Sequence, residues 1–195
     1  VAESLKEELI TRGPLVQQFE KALAQYCDVP YAVVFNSGTA ALAASYFAAG
    51  LSQFDCVIST PNTFIATVGI PIEKRVSLFL GDIDLLSGNI DLTKLEGRLG
   101  FHSTRGRPFI VPVHFSGLAV DIAKLSRMIA HPDAVIIEDA AHAFGSFYPT
   151  GEKVGSCPYS QMTIFSFHPA KVLTTGEGGC VTTRDPELYH RLQLF

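Results

Sequence analysis

The sequence predicts an α/β fold, a three-layer sandwich in which helices cover both faces of a mostly parallel, mixed sheet. Apolar runs of strand length alternate with longer amphipathic stretches from end to end, and parallel strands need crossovers of helix length. The turns between these runs are too short to be interdomain linkers, so residues 1–195 read as one domain. A chain of 195 residues with 47% hydrophobic content can bury a substantial core.

The elements follow in order. "PLVQQFEKALAQYC" begins with proline and sets Leu15, Phe19, Leu23 and Tyr26 on one helical face. "YAVVF" is a strand, and "NSGTAALAASYFAAG" is a turn followed by an Ala-rich helix. "CVIST" is a strand, "NTFIATVGIPIE" a helix, and "RVSLFLGDID" a strand leaving into a polar turn. After a loop, "GRLGFHSTRGRP", the buried strands "FIVPVHF" and "AVIIEDA" bracket the helix "DIAKLSRMIAH". "QMTIFSF" and "GGCVTT" are two further strands. The closing "ELYHRLQLF" is amphipathic, with Leu188, Leu192 and Phe195 on one face. A chain seldom stops in such a helix, and the first residue is Val1, so the expectation is a piece of a longer protein.

Composition excludes several classes of function. A net charge of -4 without a run of Lys and Arg gives no electrostatic footprint for nucleic acid or an acidic membrane surface. Cys27, Cys56, Cys157 and Cys180 form no C-x-x-C pair, which argues against zinc and a disulfide framework and fits a reducing cytoplasm. No apolar run reaches the roughly 18 residues of a membrane span, and the charged N-terminus is unlike a signal peptide, so a soluble protein is expected. "GDIDLLSGNID" has Leu86 where a calcium loop needs oxygen and reads as a solvated turn. His114 and His168 lack a spaced metal-binding partner, and no metal is expected. There is no phosphate loop of the G-x-x-x-x-G-K-[ST] type, no G-x-S-x-G elbow and no complete G-x-G-x-x-G.

Ligands of such sheets bind beyond the carboxyl ends of the strands, and four loops there carry chemistry. In "NSGTAAL", Ser37, Gly38 and Thr39 turn from strand to helix, where free N–H groups suit an anion. The loop after "CVIST" presents Phe64. "VIIEDAAHAFG" delivers Glu138, Asp139 and His142, and a carboxylate at the end of a buried strand needs a cation or several donors to meet it. "FSFHPAKVLTTGEGG" sets Ser166 and Lys171 beside glycines. A lysine desolvated by apolar neighbours becomes a nucleophile able to form a Schiff base. Read alone, each loop also has an ordinary structural account: an N-cap, core packing, a capping Asp139 with a satisfied His142, and a solvated lysine. Together they supply an anion cradle, an aromatic plate, a buried carboxylate and an amine, which are the needs of pyridoxal 5'-phosphate.

These segments, with "TRGPLVQQFEKALAQY", "PNTFIATVG", "VHFSGLAVDI" and "LQLF", resemble the large domain of the DegT/DnrJ/EryC1/StrS family of pyridoxal-phosphate-dependent sugar aminotransferases. The resemblance covers nearly the whole chain. It implies fold type I, a homodimer, and transfer of an amino group, usually from glutamate, to a nucleotide-linked keto-deoxysugar in surface polysaccharide biosynthesis. By position, Lys171 falls on the lysine that forms the Schiff base and moves the proton, and Asp139 on the partner of the pyridinium nitrogen. Phe64 falls on the stacking aromatic, and His142 on the residue approaching the ring hydroxyl. Ser37, Gly38, Thr39 and Ser166 fall on the phosphate contacts. Thr11, Arg12, Gly13 and Pro14 resemble a segment near the sugar. Family members are longer, with a smaller C-terminal domain that also completes the second subunit's site. Lysine rather than histidine at position 171 argues against the dehydratase branch. The alternatives are a non-catalytic or regulatory protein that has kept the fold, or a pyridoxal enzyme with a different reaction outcome.

Overall fold

Helix and strand alternate as the hydrophobic pattern requires in the computed structural model, which describes residues 6, 13–95 and 106–195. The helices are Pro14–Cys27 (α1), Gly38–Ala48 (α2), Ala66–Glu73 (α3), Ile122–Met128 (α4) and Pro186–Leu194 (α5). The strands are Tyr31–Phe35 (β1), Cys56–Ser59 (β2), Ser77–Leu80 (β3), Pro108–Ile110 (β4), Val135–Asp139 (β5), Met162–Ser166 (β6) and Gly179–Thr183 (β7). They form one sheet in the order β1-β7-β6-β5-β4-β2-β3. β7 runs antiparallel to both neighbours and every other pairing is parallel. All strands except β7 therefore end on the same edge of the sheet.

Side chains alternate across the strands and build a core on each face. On one face, α1 and α4 cover Ile58, Ile110, Ile136 and Phe165, with Leu23 and Leu125 as helix contacts. On the other, α2, α3 and α5 cover Val57, Phe109, Ile137 and Ile164, with Leu42 and Leu192 packed among them. This is the three-layer sandwich expected. No helix among the described residues is long and apolar enough to cross a membrane.

Three elements differ from the sequence pattern. "FIVPVHF" gives a strand only as far as Ile110, because Pro112 has no N–H for a ladder. Pairing resumes through single contacts: Asp139 N–H donates to the Pro112 carbonyl at 2.9 Å, and His114 N–H to the Asp139 carbonyl at 3.0 Å. The helix expected from Asn62 begins at Ala66, after a turn over 61–65, and it contains Pro71. Pro71 cannot bond the carbonyl of Thr67, four residues earlier, and the Tyr46 hydroxyl donates there instead at 2.7 Å. The helix expected over 121–131 is capped by Asp121, which accepts from Lys124 N at 2.8 Å, and it stops at Met128. The polar turn after β3 closes with an Ile83–Ile90 bridge and leaves Leu85 and Leu86 exposed. The predicted loop before β4 lies largely outside the described residues.

Candidate active site

A cavity of about 500 Å³ opens at the edge where the parallel strands end. Ser37, Gly38 and Thr39 line it from the β1–α2 turn, Phe64 from the loop after β2, Asp139 and His142 from the end of β5, and Ser166 and Lys171 from beyond β6. Of the weaker substrate candidates, Gly13 is buried and Pro14 starts α1, and neither lines the cavity. Thr11 and Arg12 lie outside the described residues.

The Ser37 turn does two jobs at once. Its hydroxyl caps α2 by accepting from Ala40 N at 3.1 Å, while its carbonyl accepts from Ala41 N at 3.0 Å. The N–H groups of Gly38 and Thr39, the first two of the helix, remain for an anion. Gly38 is required by its neighbour, since a Cβ there would lie 2.9 Å from Ser166 Cβ. The two halves of the cradle, α2 tip and β6 end, thus sit in backbone-to-side-chain contact.

Phe64 is 72% exposed, so core packing is not its role. Asp139, at 4% exposure, is the buried acid of the cavity. Its Oδ2 accepts from the Thr67 hydroxyl at 2.6 Å and its Oδ1 from Ala141 N at 3.2 Å, which leaves lone pairs for a further donor. His142 is exposed and meets the Phe115 ring edge-on at 6.3 Å. Partial burial first, and the Lys171 cation second, hold its imidazole below the ordinary value, with Asp139 pulling the other way.

Lys171 is half-buried, and Val172 beside it is 79% exposed. The cause is a tight turn in which Lys171 N–H bonds the His168 carbonyl at 2.9 Å and Thr175 N–H the Phe167 carbonyl at 3.1 Å, so the segment rides on the cavity rim.

Glu138 faces the opposite side of β5 and lies wholly buried. It accepts from Tyr148 at 2.9 Å to each oxygen, from Thr163 at 3.0 Å and from Ser160. His114 Nε2 lies 2.7 Å from Oε2, and because Val120 N–H donates to Nδ1 at 2.9 Å, the ring proton sits on Nε2 and points at the carboxylate. Burial and this carboxylate push the Tyr148 phenol far up, so it stays a neutral donor. His114 thus serves to hold Glu138 and the Val120 backbone.

Two residues of consequence were not singled out from sequence: Thr67, four residues after Thr63 in "TFIAT", and Glu177, which lines the cavity mouth 3.9 Å from His168. Helical spacing from Thr63 was the available signal for Thr67. Nothing local marks Glu177, which a tight turn brings round.

In class, this sheet order with its cavity at the parallel edge is that of the pyridoxal-phosphate-dependent aminotransferases, and solved members match it closely. PseC of Helicobacter pylori, an aminotransferase involved in the biosynthesis of pseudoaminic acid, matches with a TM-score of 0.88 and 32% identity over 100% of this chain and 51% of its own. Spr1654 of Streptococcus pneumoniae in its PLP form matches with a TM-score of 0.87 and 28% identity, over 99% of this chain and 53% of its own. More narrowly, the DegT/DnrJ/EryC1/StrS aminotransferase family pattern matches residues 1–195, and the chain belongs to that family. A Campylobacter jejuni UDP-4-amino-4,6-dideoxy-N-acetyl-beta-L-altrosamine transaminase is 40% identical over 195 residues, 100% of this chain and 50% of its own length. The chain spans about half the length of the curated relatives it matches.

Proposed function

We propose that residues 1–195 are the cofactor-binding large domain of a pyridoxal-phosphate-dependent transaminase, which moves an amino group from glutamate to a nucleotide-linked keto sugar. The observation that carries this reading is the joining of Lys171 and Asp139 in one cavity with the α2 anion cradle and Phe64. The residues fit the group: a carboxylate with unused lone pairs, free helix N–H donors, and a glycine where any side chain would close the cradle.

Bound there, the cofactor supplies an aldehyde for an amine and a ring that withdraws electrons from the reacting carbon. Lys171 would bring the amine, and its Nζ is the atom that would hold the mobile proton. Asp139 holds a proton at the ring nitrogen with its spare lone pairs. The Gly38 and Thr39 N–H groups and the Ser166 hydroxyl bind the phosphate, and the helix dipole favours that charge. Phe64, on the cavity wall, would supply an aromatic face for the cofactor's ring. His142, kept neutral at pH 7, offers its imidazole to the ring hydroxyl.

The family relationship and the relatives' names support a nucleotide sugar as acceptor, in amino-sugar formation for surface polysaccharide. The same reading takes the working form as a cytoplasmic homodimer. The test uses the full-length protein with pyridoxal phosphate, glutamate and a panel of UDP-, GDP- and dTDP-linked 4-keto sugars. The expected result is yellow protein, glutamate-dependent bleaching of the visible band and one aminated sugar, all lost in Lys171→Ala. Colourless protein that the cofactor cannot reconstitute defeats the reading, and light scattering at monomer mass defeats the dimer.

A further inference from the structure

Thr67 is fully buried on α3, and its hydroxyl lies 2.6 Å from Asp139 Oδ2. Thr63 Oγ1 lies 2.6 Å from Thr67 Oγ1 and borders the cavity. A hydroxyl has one proton, and an ionised carboxylate accepts but cannot donate. The Thr67 proton is thus committed to Asp139, and Thr63 is the donor to Thr67. The result is a directed chain of O–H groups, from the cavity wall to the buried acid, in which each bond polarises the next.

The backbone beneath this chain is fixed by an independent contact. Pro71 leaves the Thr67 carbonyl without its helical partner, and buried Tyr46 takes that position at 2.7 Å. Thr67 N–H bonds the Phe64 carbonyl at 3.1 Å, so the segment that displays the exposed aromatic also carries the hydroxyl at the carboxylate. One short segment, 63–67, therefore sets two groups of the cavity relative to each other.

We propose that Thr67 is a positioning residue for Asp139, holding the carboxylate aimed into the cavity, with Thr63 as the outer member that strengthens the bond. The proposal rests on the reading that Asp139 meets the cofactor's ring nitrogen. Removing a donor to the charged form raises a carboxyl pKa and frees its rotamer. Both effects weaken the hold on a protonated ring.

The experiment titrates full-length apoprotein with pyridoxal phosphate, following the visible band, for wild type, Thr67→Val, Thr67→Ser, Thr63→Val and Asp139→Asn. It also records the band of each loaded protein against pH. Thr67→Val is expected to weaken cofactor binding by about tenfold to a hundredfold, the range for one hydrogen bond to a charged group. The acid limb of its spectral titration moves to higher pH, and Thr67→Ser restores both. Thr63→Val, at the cavity edge, gives a weaker shift in the same direction and carries the test should Thr67→Val not fold. If Thr67→Val and Thr63→Val keep wild-type affinity and pH profile while Asp139→Asn loses them, the positioning role is overturned and the Asp139 reading stands. If Asp139→Asn itself binds and titrates as wild type, the Asp139 reading fails, and the proposal with it.

Discussion

Glu138 allows a prediction whose size follows from counting its donors. Replacing it with leucine removes the acceptor of His114 Nε2–H and of the Tyr148 hydroxyl, both buried. Thr163 keeps Cys157 Sγ at 3.3 Å, and Ser160 is half-buried, so these two are less affected. Two stranded donors at about 1–3 kcal/mol each give a loss of roughly 2–6 kcal/mol. That is a large part of the roughly 5–15 kcal/mol typical of a whole domain. Glu138→Gln costs less, since an amide oxygen in the place of Oε2 still accepts from His114 and Tyr148 while its NH2 faces the Ser160 and Thr163 hydroxyls, which can accept. Tyr148→Phe also strands Gly155 N–H, 3.3 Å from the phenol oxygen, and costs about 1.5–3 kcal/mol. Urea unfolding of the full-length chain followed by circular dichroism measures each midpoint. An unchanged midpoint and slope for Glu138→Leu would refute the reasoning, because it would mean that the stranded groups find other partners at no cost.

Two further predictions concern the cavity. His142 sits below its ordinary value of 6.5 because of burial and Lys171, so Lys171→Ala should raise its titration midpoint and Asp139→Asn should lower it, as read by NMR of the imidazole. Its folded value is the depressed one, so near and below pH 6.5 the unfolded state binds more protons, and this histidine's share of stability is lost on acidification through that window. Gly38→Ala drives a methyl to 2.9 Å from Ser166 Cβ. Helix preference for Ala, about 1 kcal/mol, offsets part of an overpacking cost of about 1–3 kcal/mol. The fold should survive, while cofactor affinity in a visible titration falls about tenfold from the spoiled cradle. Unchanged affinity would remove Gly38 from the phosphate site.

The fold was legible because its signals are local. Buried strands such as "VIIED" and amphipathic helices such as "PLVQQFEKALAQYC" announce themselves by period, and seven strand-like runs became seven strands. The differences lie in bounds: Pro112 truncates a strand, and α3 starts at Ala66 rather than Asn62, while Pro71 stays inside that helix as the pattern had it because Tyr46, 21 residues before Thr67, repairs the lost bond. The cavity was legible as loops at strand ends, since strand direction alone gathers them. Exposure was not. Around Lys171 the tight turn divides its apolar neighbours, leaving Val172 79% exposed and Phe167 fully buried, a split that the run of residues does not reveal.

The pair Glu138–Asp139 shows what sequence leaves open and topology decides. Two adjacent acids at the end of one buried strand are chemically alike, and either satisfies the pattern. A strand sends them to opposite faces. Glu138 enters the α1 side, where four side-chain donors occupy its oxygens, and a carboxylate so satisfied has little left for a ligand. Asp139 enters the side of α2 and α3, where it receives one hydroxyl and one N–H and faces the cavity. The two are also mechanically joined, since Glu138 holds His114, and His114 N–H holds the Asp139 carbonyl. The saturated acid fixes the strand end, and the unsaturated one next to it is left with lone pairs to offer. A one-residue slip of β5 that carried Asp139 into the place of Glu138 would put the free carboxylate in the core and bring Ala140 to the cavity, which would then lack an acid.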